Sequence, residues 1–155
     1  MRKISVLFVC MGNICRSPMA EAVFKELIKK KGIADHFLVA SAATGSWHLG
    51  QAPHHGTIDI LVKNGIHLVG KQAQKLTLQD IKTYDYILLM DDENVQDVKE
   101  FFGLTLPRLL DFVPNSINKN VPDPYYNGNF SEVFHLISLG CQGLLDSILA
   151  KEVED

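Results

Sequence analysis

The chain is short of cysteine, of excess charge and of long apolar runs, and each shortage removes a class of protein. Its cysteines are Cys10, Cys15 and Cys141, an odd number that forms no disulfide framework. Such usage fits a reducing, cytoplasmic setting in which cysteines are kept for chemistry or packing. Fifteen basic against eighteen acidic residues leave a formal charge of −3, so there is no global basic footprint and no nucleic-acid partner is expected. Any attraction for anions must be local. No apolar run reaches the ~18 residues of a spanning helix, so no membrane insertion is expected. Arg2 and Lys3 before the apolar residues 4–9 resemble the start of a signal peptide. That run is too short, Gly12, Asn13 and Arg16 interrupt it, and no small-residue cleavage site follows. Repeats, low-complexity tracts and linkers are also missing, and 155 residues suit one domain spanning 1–155.

What is present is an alternation of apolar strands with amphipathic helices. Residues 4–9 read as a strand ending on Cys10, 37–42 as a second and 86–90 as a third. The third is continuously apolar, as in a strand buried on both faces. Residues 104–109 read as a shorter fourth strand, interrupted by Pro107. Pro18 suits a first helical turn, and Ala20, Val23, Phe24, Leu27 and Ile28 recur at helical spacing until Gly32 stops the helix. Ile58, Leu61 and Val62 mark a short helix; Asp91 or Asp92 caps another carrying Val95, Val98 and Phe102. A long C-terminal helix runs from Phe130 through Ile148, with Cys141 on its apolar face. The expected fold is α/β: a single-domain, open, parallel four-stranded sheet with helices on both faces. Ligands of such sheets bind beyond the C-terminal strand ends. Cys10, the loop 45–53 holding Trp47, Asp91 and the irregular segment 111–129 follow the four strands in turn. All four loops converge on one mouth.

The first of these loops carries the chemistry. It reads Cys10-Met11-Gly12-Asn13-Ile14-Cys15-Arg16-Ser17-Pro18, a Cys-x5-Arg span between a strand and a helix start. Backbone N–H groups, the positive end of a helix dipole and a guanidinium make a phosphate-sized cradle. The same field favours the thiolate, which is the nucleophilic form of a cysteine. Gly12 suits a positive φ or a close backbone approach. The loop lacks the Gly-Lys-Ser/Thr ending of a nucleotide-binding P-loop; a guanidinium, whose fork fits two phosphate oxygens, takes the lysine's place. Ser17 has two open roles, capping the helix or donating to the sulfur as it leaves.

The stretch from Cys10 to Glu21 resembles the signature of the low-molecular-weight protein tyrosine phosphatases. Ser46-Trp47-His48 with Gly50 and Pro53 is similar to that family's second loop, Met90-Asp91 with Asn94 to its third, and Asp123-Pro124-Tyr125-Tyr126 to its acid loop. The resemblance implies a hydrolase acting on phosphotyrosine-containing proteins through a phosphocysteine on Cys10, releasing inorganic phosphate, with no cofactor and no metal. It implies that Arg16 and the N–H groups of residues 11 to 16 (Met11, Gly12, Asn13, Ile14 and Cys15 among them) hold the phosphoryl oxygens. Asp123 would be the general acid and then the base. Asn13 would brace the loop through Ser41, and Asp91 would support it. Trp47, Tyr125 and Tyr126 would wall a slot whose depth excludes phosphoserine. The family's protein-arginine phosphatases place a threonine where Ile14 stands, so the isoleucine favours phosphotyrosine. Cys15 either forms a reversible disulfide with Cys10, making the enzyme redox-sensitive, or simply fills a tight loop. A monomer or weak homodimer is expected.

Departures from the pattern are local. Many members place a histidine and an arginine where this chain reads Lys71-Gln72-Ala73-Gln74-Lys75, and His48 and Asn127-Gly128 vary the rim. His54 and His55, being adjacent, point to different sides and make a poor metal pair. Thiol-linked arsenate reductases share the loop but need two mid-chain cysteines, and none lies between Cys15 and Cys141. A phosphocysteine phosphocarrier must keep its phosphate, which Arg16 beside a hydrolytic Asp123 would not allow.

Overall fold

The computed structural model describes residues 2–154. Three parallel strands, β1 (Ile4–Cys10), β2 (Phe37–Ala43) and β3 (Tyr86–Leu89), pair in the order β2-β1-β3. Ile4 lies opposite Phe37 and Cys10 opposite Ala43 on one side of β1, while Val6 lies opposite Tyr86 on the other. Among the described residues six α-helices surround the sheet: α1 (Arg16–Lys30), α2 (His55–Lys63), α3 (Leu78–Thr83), α4 (Asp92–Phe102), α5 (Pro124–Asn127) and α6 (Phe130–Glu154).

The central strand shows why both faces had to be covered. Side chains alternate across a strand, so Ile4, Val6, Phe8 and Cys10 enter a core with α1, α2 and α6, while Leu7 and Val9 enter another with Leu76 and Val98. Phe24 packs tilted against Phe8 at a centroid distance of 5.7 Å and edge to face on Phe37 at 5.6 Å, tying α1 to β1 and β2. By length and composition α6 could cross a membrane. Its stripe of Val133, Ile137, Cys141, Leu144, Leu145 and Ile148 is instead fully buried in the first core.

The expected fourth strand is not formed. The segment 104–109 makes one parallel bridge, Arg108 opposite Leu89, with the Leu89 N–H donating to the Pro107 carbonyl at 2.9 Å. Pro107 has no N–H with which to continue a ladder, and the chain turns at once into a 3-10 turn, Leu109–Phe112. Helix α3 has no counterpart in the apolar periodicity. Its signal is the capping box in which Thr77 and Asp80 bond each other's backbone N–H.

The start of α1 decides between the two roles open to Ser17. Cys15, without a side-chain cap, occupies the N-cap position, and Ser17 lies inside the first turn. Its hydroxyl is thereby turned away from capping and toward β1.

Candidate active site

Cys10 ends β1, and six residues later Arg16 begins α1, so the loop between them is closed at both ends by regular structure. The positive φ required by so tight a turn falls on Asn13, at 56°, one of the few residue types that tolerate it. Gly12 instead serves close approach: a Cβ there would come within 3.0 Å of the His48 ring.

Hydrogen bonds behind the loop form one directional network. The Asn13 Oδ1 accepts from the Gln74 backbone N–H at 3.1 Å, which fixes the orientation of the side-chain amide. Its Nδ2 then donates to Ser17 Oγ at 2.7 Å and to Ser41 Oγ at 3.0 Å. Ser41 Oγ in turn donates to Glu21 Oε1 at 2.6 Å. Ser17, already an acceptor from Asn13, has its hydroxyl proton free for the Cys10 Sγ 3.0 Å away. The Asn13 N–H also points to that sulfur, at 3.3 Å. Two donors converging on one buried sulfur stabilise negative charge there.

The segment Lys71 to Lys75 braces this network by its own means. Lys71 Nζ and Gln74 Nε2 both donate to the Ser41 carbonyl, at 2.8 and 3.0 Å, and Lys71 lies 3.8 Å from Glu21. Burial pushes the Lys71 ammonium down in pKa, against the opposing pull of Glu21. Glu21, Lys71 and Gln74 were not legible as site residues, because nothing in their local pattern points to a loop that lies elsewhere in the chain.

Arg16 is held from the opposite side. Its Nη1 donates to Asp91 Oδ2 at 2.6 Å and to the Val121 carbonyl at 2.9 Å, and its Nη2 lies 3.6 Å from Asp123 Oδ2. Burial works against the guanidinium, but Cys10, Asp91 and Asp123 outweigh it and raise its pKa further. Asp91 also caps α4 through the Asn94 N–H, so one carboxylate fixes both a helix start and the arginine. Asp123 caps α5 by accepting from the Tyr125 N–H at 3.1 Å, and this short helix sets the two tyrosines beside the acid.

A cavity of about 420 Å3 opens over this floor, lined by Cys10, Ile14, Cys15 and Arg16 below and by Trp47, Asp123, Tyr125 and Tyr126 above. Met11, Gly12 and His48 complete the lining. Asn13, Ser17 and Ser41 are fully buried behind the loop, and Asp91 reaches the cavity only through Arg16. Tyr125 packs edge to face on Tyr126 and against the His48 ring, at 5.3 and 5.6 Å. The adjacent histidines do not diverge: their rings stack at 4.3 Å, and His54 caps α2 by accepting from the Gly56 N–H.

Cys15 shares the floor but differs from Cys10 in chemistry. Burial, then the charges of Cys10 and Asp123, push its thiol up to about 12, so it stays protonated at neutral pH. Cys141 is raised by burial as well. Iodoacetamide at pH 7.5 is therefore expected to label Cys10 alone in the folded protein, with Cys15 and Cys141 labelled only after denaturation, as read by peptide mass mapping. The folded state holds the Cys15 proton where the unfolded chain loses it, above the ordinary value of 9.0. This contribution to stability is thus complete below pH 9 and declines toward pH 12. Thermal melts across that range check the sign.

Known proteins share both the sequence and this geometry. The family model for low molecular weight phosphotyrosine protein phosphatases matches residues 5–154. The low molecular weight protein-tyrosine-phosphatase YfkJ of Bacillus subtilis is 50% identical over 149 residues, 94% of this chain and 96% of its own. Its crystal structure superposes with a TM-score of 0.93, at 48% identity, covering 98% of each chain. PtpA of Staphylococcus epidermidis is 42% identical and covers 94% of each chain. A Drosophila arginine phosphatase superposes with a TM-score of 0.85 at 29% identity, over 92% of this chain and 96% of its own. With the Cys10 loop, the Trp47 loop and the Asp123 segment around one cavity, and relatives matched nearly end to end, the chain belongs to the low molecular weight phosphotyrosine protein phosphatase family.

Proposed function

We propose that this protein hydrolyses phosphotyrosine in protein substrates, and aryl phosphates in general, through a phosphocysteine intermediate. The observation that carries the reading is the floor of the cavity, where the Cys10 sulfur and the Arg16 guanidinium face one space that Asp123 overlooks. The Cys10 thiolate attacks phosphorus in line with the ester oxygen, forming the S–P bond as the P–O bond breaks. Arg16 and the unpaired N–H groups at the start of α1 hold the equatorial oxygens, whose charge spreads in the transition state. Asp123 gives its proton to the departing phenolate. In the second step the Asp123 carboxylate takes a proton from water as that water attacks phosphorus. The S–P bond breaks, Ser17 donates to the returning thiolate, and inorganic phosphate leaves.

The aromatic walls support phosphotyrosine over smaller esters. A ring between Trp47, Tyr125 and Tyr126 reaches the floor, whereas a serine phosphate is too short to bring its phosphorus to Cys10. Ile14 on the floor supports phosphotyrosine over phosphoarginine, because an apolar side chain offers a guanidinium no hydrogen bond. The soluble assembly is proposed to be a monomer or weak homodimer of one domain in the cytoplasm.

The testing experiment is hydrolysis in excess EDTA of aryl phosphates with good and poor leaving groups. For Asp123→Ala, kcat/KM, which reports the first step alone, is expected to fall about 10²-fold on phenyl phosphate and far less on a nitrophenyl ester, whose phenolate leaves without a proton. Equal loss on both esters removes the acid assignment. Stoichiometric phosphorylation without release of phosphate would make the protein a carrier instead.

A further inference from the structure

Beside the catalytic cavity, and separated from it by Trp47, lies a second cleft of about 540 Å3. Met11 and Trp47 line both, so the second lies within reach of residues flanking a phosphotyrosine held in the first. The outer wall of the second cleft is α4, which presents Glu93, Asp97 and Phe101. Both large rings here are unusually bare for aromatic side chains: Trp47 is 77% exposed and Phe101 62%. Trp47 rests on the chain at Gly45, where a Cβ would come within 3.0 Å of the indole and 3.1 Å of the Met11 carbonyl. The indole thereby borders both clefts.

The charges of the cleft are unevenly satisfied. Lys75 is already committed, with its ammonium bonded to the Thr44 carbonyl and set over the Phe101 ring at 5.5 Å. Neither Glu93 nor Asp97 forms a salt bridge among the described residues. Thr44 Oγ1 is buried at the base of the cleft without a hydrogen-bond partner, on the side of Asp97, whose charged form it favours. Burial and the neighbouring Glu100 nonetheless push the Asp97 carboxyl up in pKa. A cation arriving there would pair with Asp97, and two exposed aromatic rings favour one whose charge is spread over a plane.

We propose that this cleft is a second substrate subsite that takes a basic side chain, arginine in preference to lysine, flanking the phosphotyrosine. The guanidinium stacks on Trp47 or Phe101 and pairs with Glu93 and Asp97, while its aliphatic stem lies along Met11. The subsite rests on the phosphotyrosyl-protein reading given above. It deepens that reading by assigning the enzyme to substrates with basic residues next to the phosphotyrosine. Because exposed pairs contribute modestly, the subsite tunes selection among phosphoproteins and leaves the chemical step untouched.

The experiment compares kcat/KM on phosphotyrosyl peptides carrying arginine, alanine or glutamate at each position within three residues of the phosphotyrosine, with nitrophenyl phosphate as the control. Parent enzyme, Glu93→Gln/Asp97→Asn and Phe101→Ala are assayed at low and at 0.5 M salt. At one or two positions, arginine is expected to exceed alanine about five- to tenfold in the parent. The double variant is expected to lose that preference, Phe101→Ala to weaken it and high salt to compress it. Turnover of nitrophenyl phosphate should stay within about twofold of the parent, since none of these side chains lines the catalytic cavity. Equal rates for the three peptides overturn the subsite alone, as does a preference for glutamate, which would make Lys75 the recognition group. Absence of turnover on every substrate, the nitrophenyl ester included, overturns the phosphatase reading and the subsite with it.

Discussion

Cys10→Ser is expected to lower kcat on an aryl phosphate by about 10⁴-fold or more while leaving phosphate binding nearly intact. The variant removes one atom's chemistry and little else. Cys10 is 3% exposed and packed into the first core, and a hydroxyl fits the same volume. A serine needs a neighbouring base to become nucleophilic, because its alkoxide is not populated at neutral pH. The groups that touch this position are the Ser17 hydroxyl and the Asn13 N–H, neither of which is a base. A site that activates its nucleophile by donating hydrogen bonds serves a thiolate and fails an alcohol. Stopped assays of kcat, with calorimetric titration of inorganic phosphate, separate the two effects. Retention of more than about 1% of parental kcat, well above that 10⁴-fold loss, would show that Cys10 is not the attacking group.

Arg16→Lys is expected to reduce kcat/KM about 10³-fold, close to 4 kcal/mol of transition-state stabilisation. The substitution keeps the charge and loses the fork. In the parent, Nη1 is used by Asp91 and Val121, and Nη2 lies toward Asp123. The guanidinium is thus fixed in plane before substrate arrives, with donors left for two phosphoryl oxygens. An ammonium can satisfy Asp91 or meet the phosphate as a point charge, but cannot hold both in the same geometry. Arg16→Ala tests less cleanly, since it strands the Asp91 carboxylate beside a buried hole and is expected to destabilise the fold by about 3–5 kcal/mol. A lysine variant within tenfold of the parent would place the transition-state charge elsewhere.

Much of this site is legible in the sequence because it is local. Cys10, Arg16 and the turn between them sit within one strand-loop-helix unit, where spacing and residue type suffice. Trp47 stands out as an aromatic in a polar loop, and Tyr125 and Tyr126 as neighbours of an Asp-Pro pair. What the pattern misplaces is equally instructive. Local pattern leaves Ser17 between a helix cap and a donor to the sulfur, and the packing of Asn13 and Cys10 around its hydroxyl decides for the second. Of the two roles open to Gly12, close approach is the one it fills, while the positive φ falls on Asn13, whose side chain makes three hydrogen bonds. The fourth strand fails at Pro107, where an apolar pattern meets a residue that cannot donate. His48 enters the cavity wall through its packing against Gly12, a contact that neither residue announces.

Sequence alone located the three strands that pair and set a cysteine and an arginine at the two ends of one loop, the pair proposed to meet a phosphoryl group. Strand and helix periods, turn chemistry and short spacing are properties of neighbouring residues, so one chain displays them without being folded. Only the tertiary structure decided how that loop is held and what lies around it. Glu21, Ser41, Lys71 and Gln74 come from separate elements to brace it, and Asp91 and Asp123 reach Arg16 from two different loops. The cleft behind Trp47 likewise exists only because α4 packs beside the second loop. Such partners are chosen by burial and by the need to satisfy polar groups removed from water, and those demands arise only when distant segments pack together.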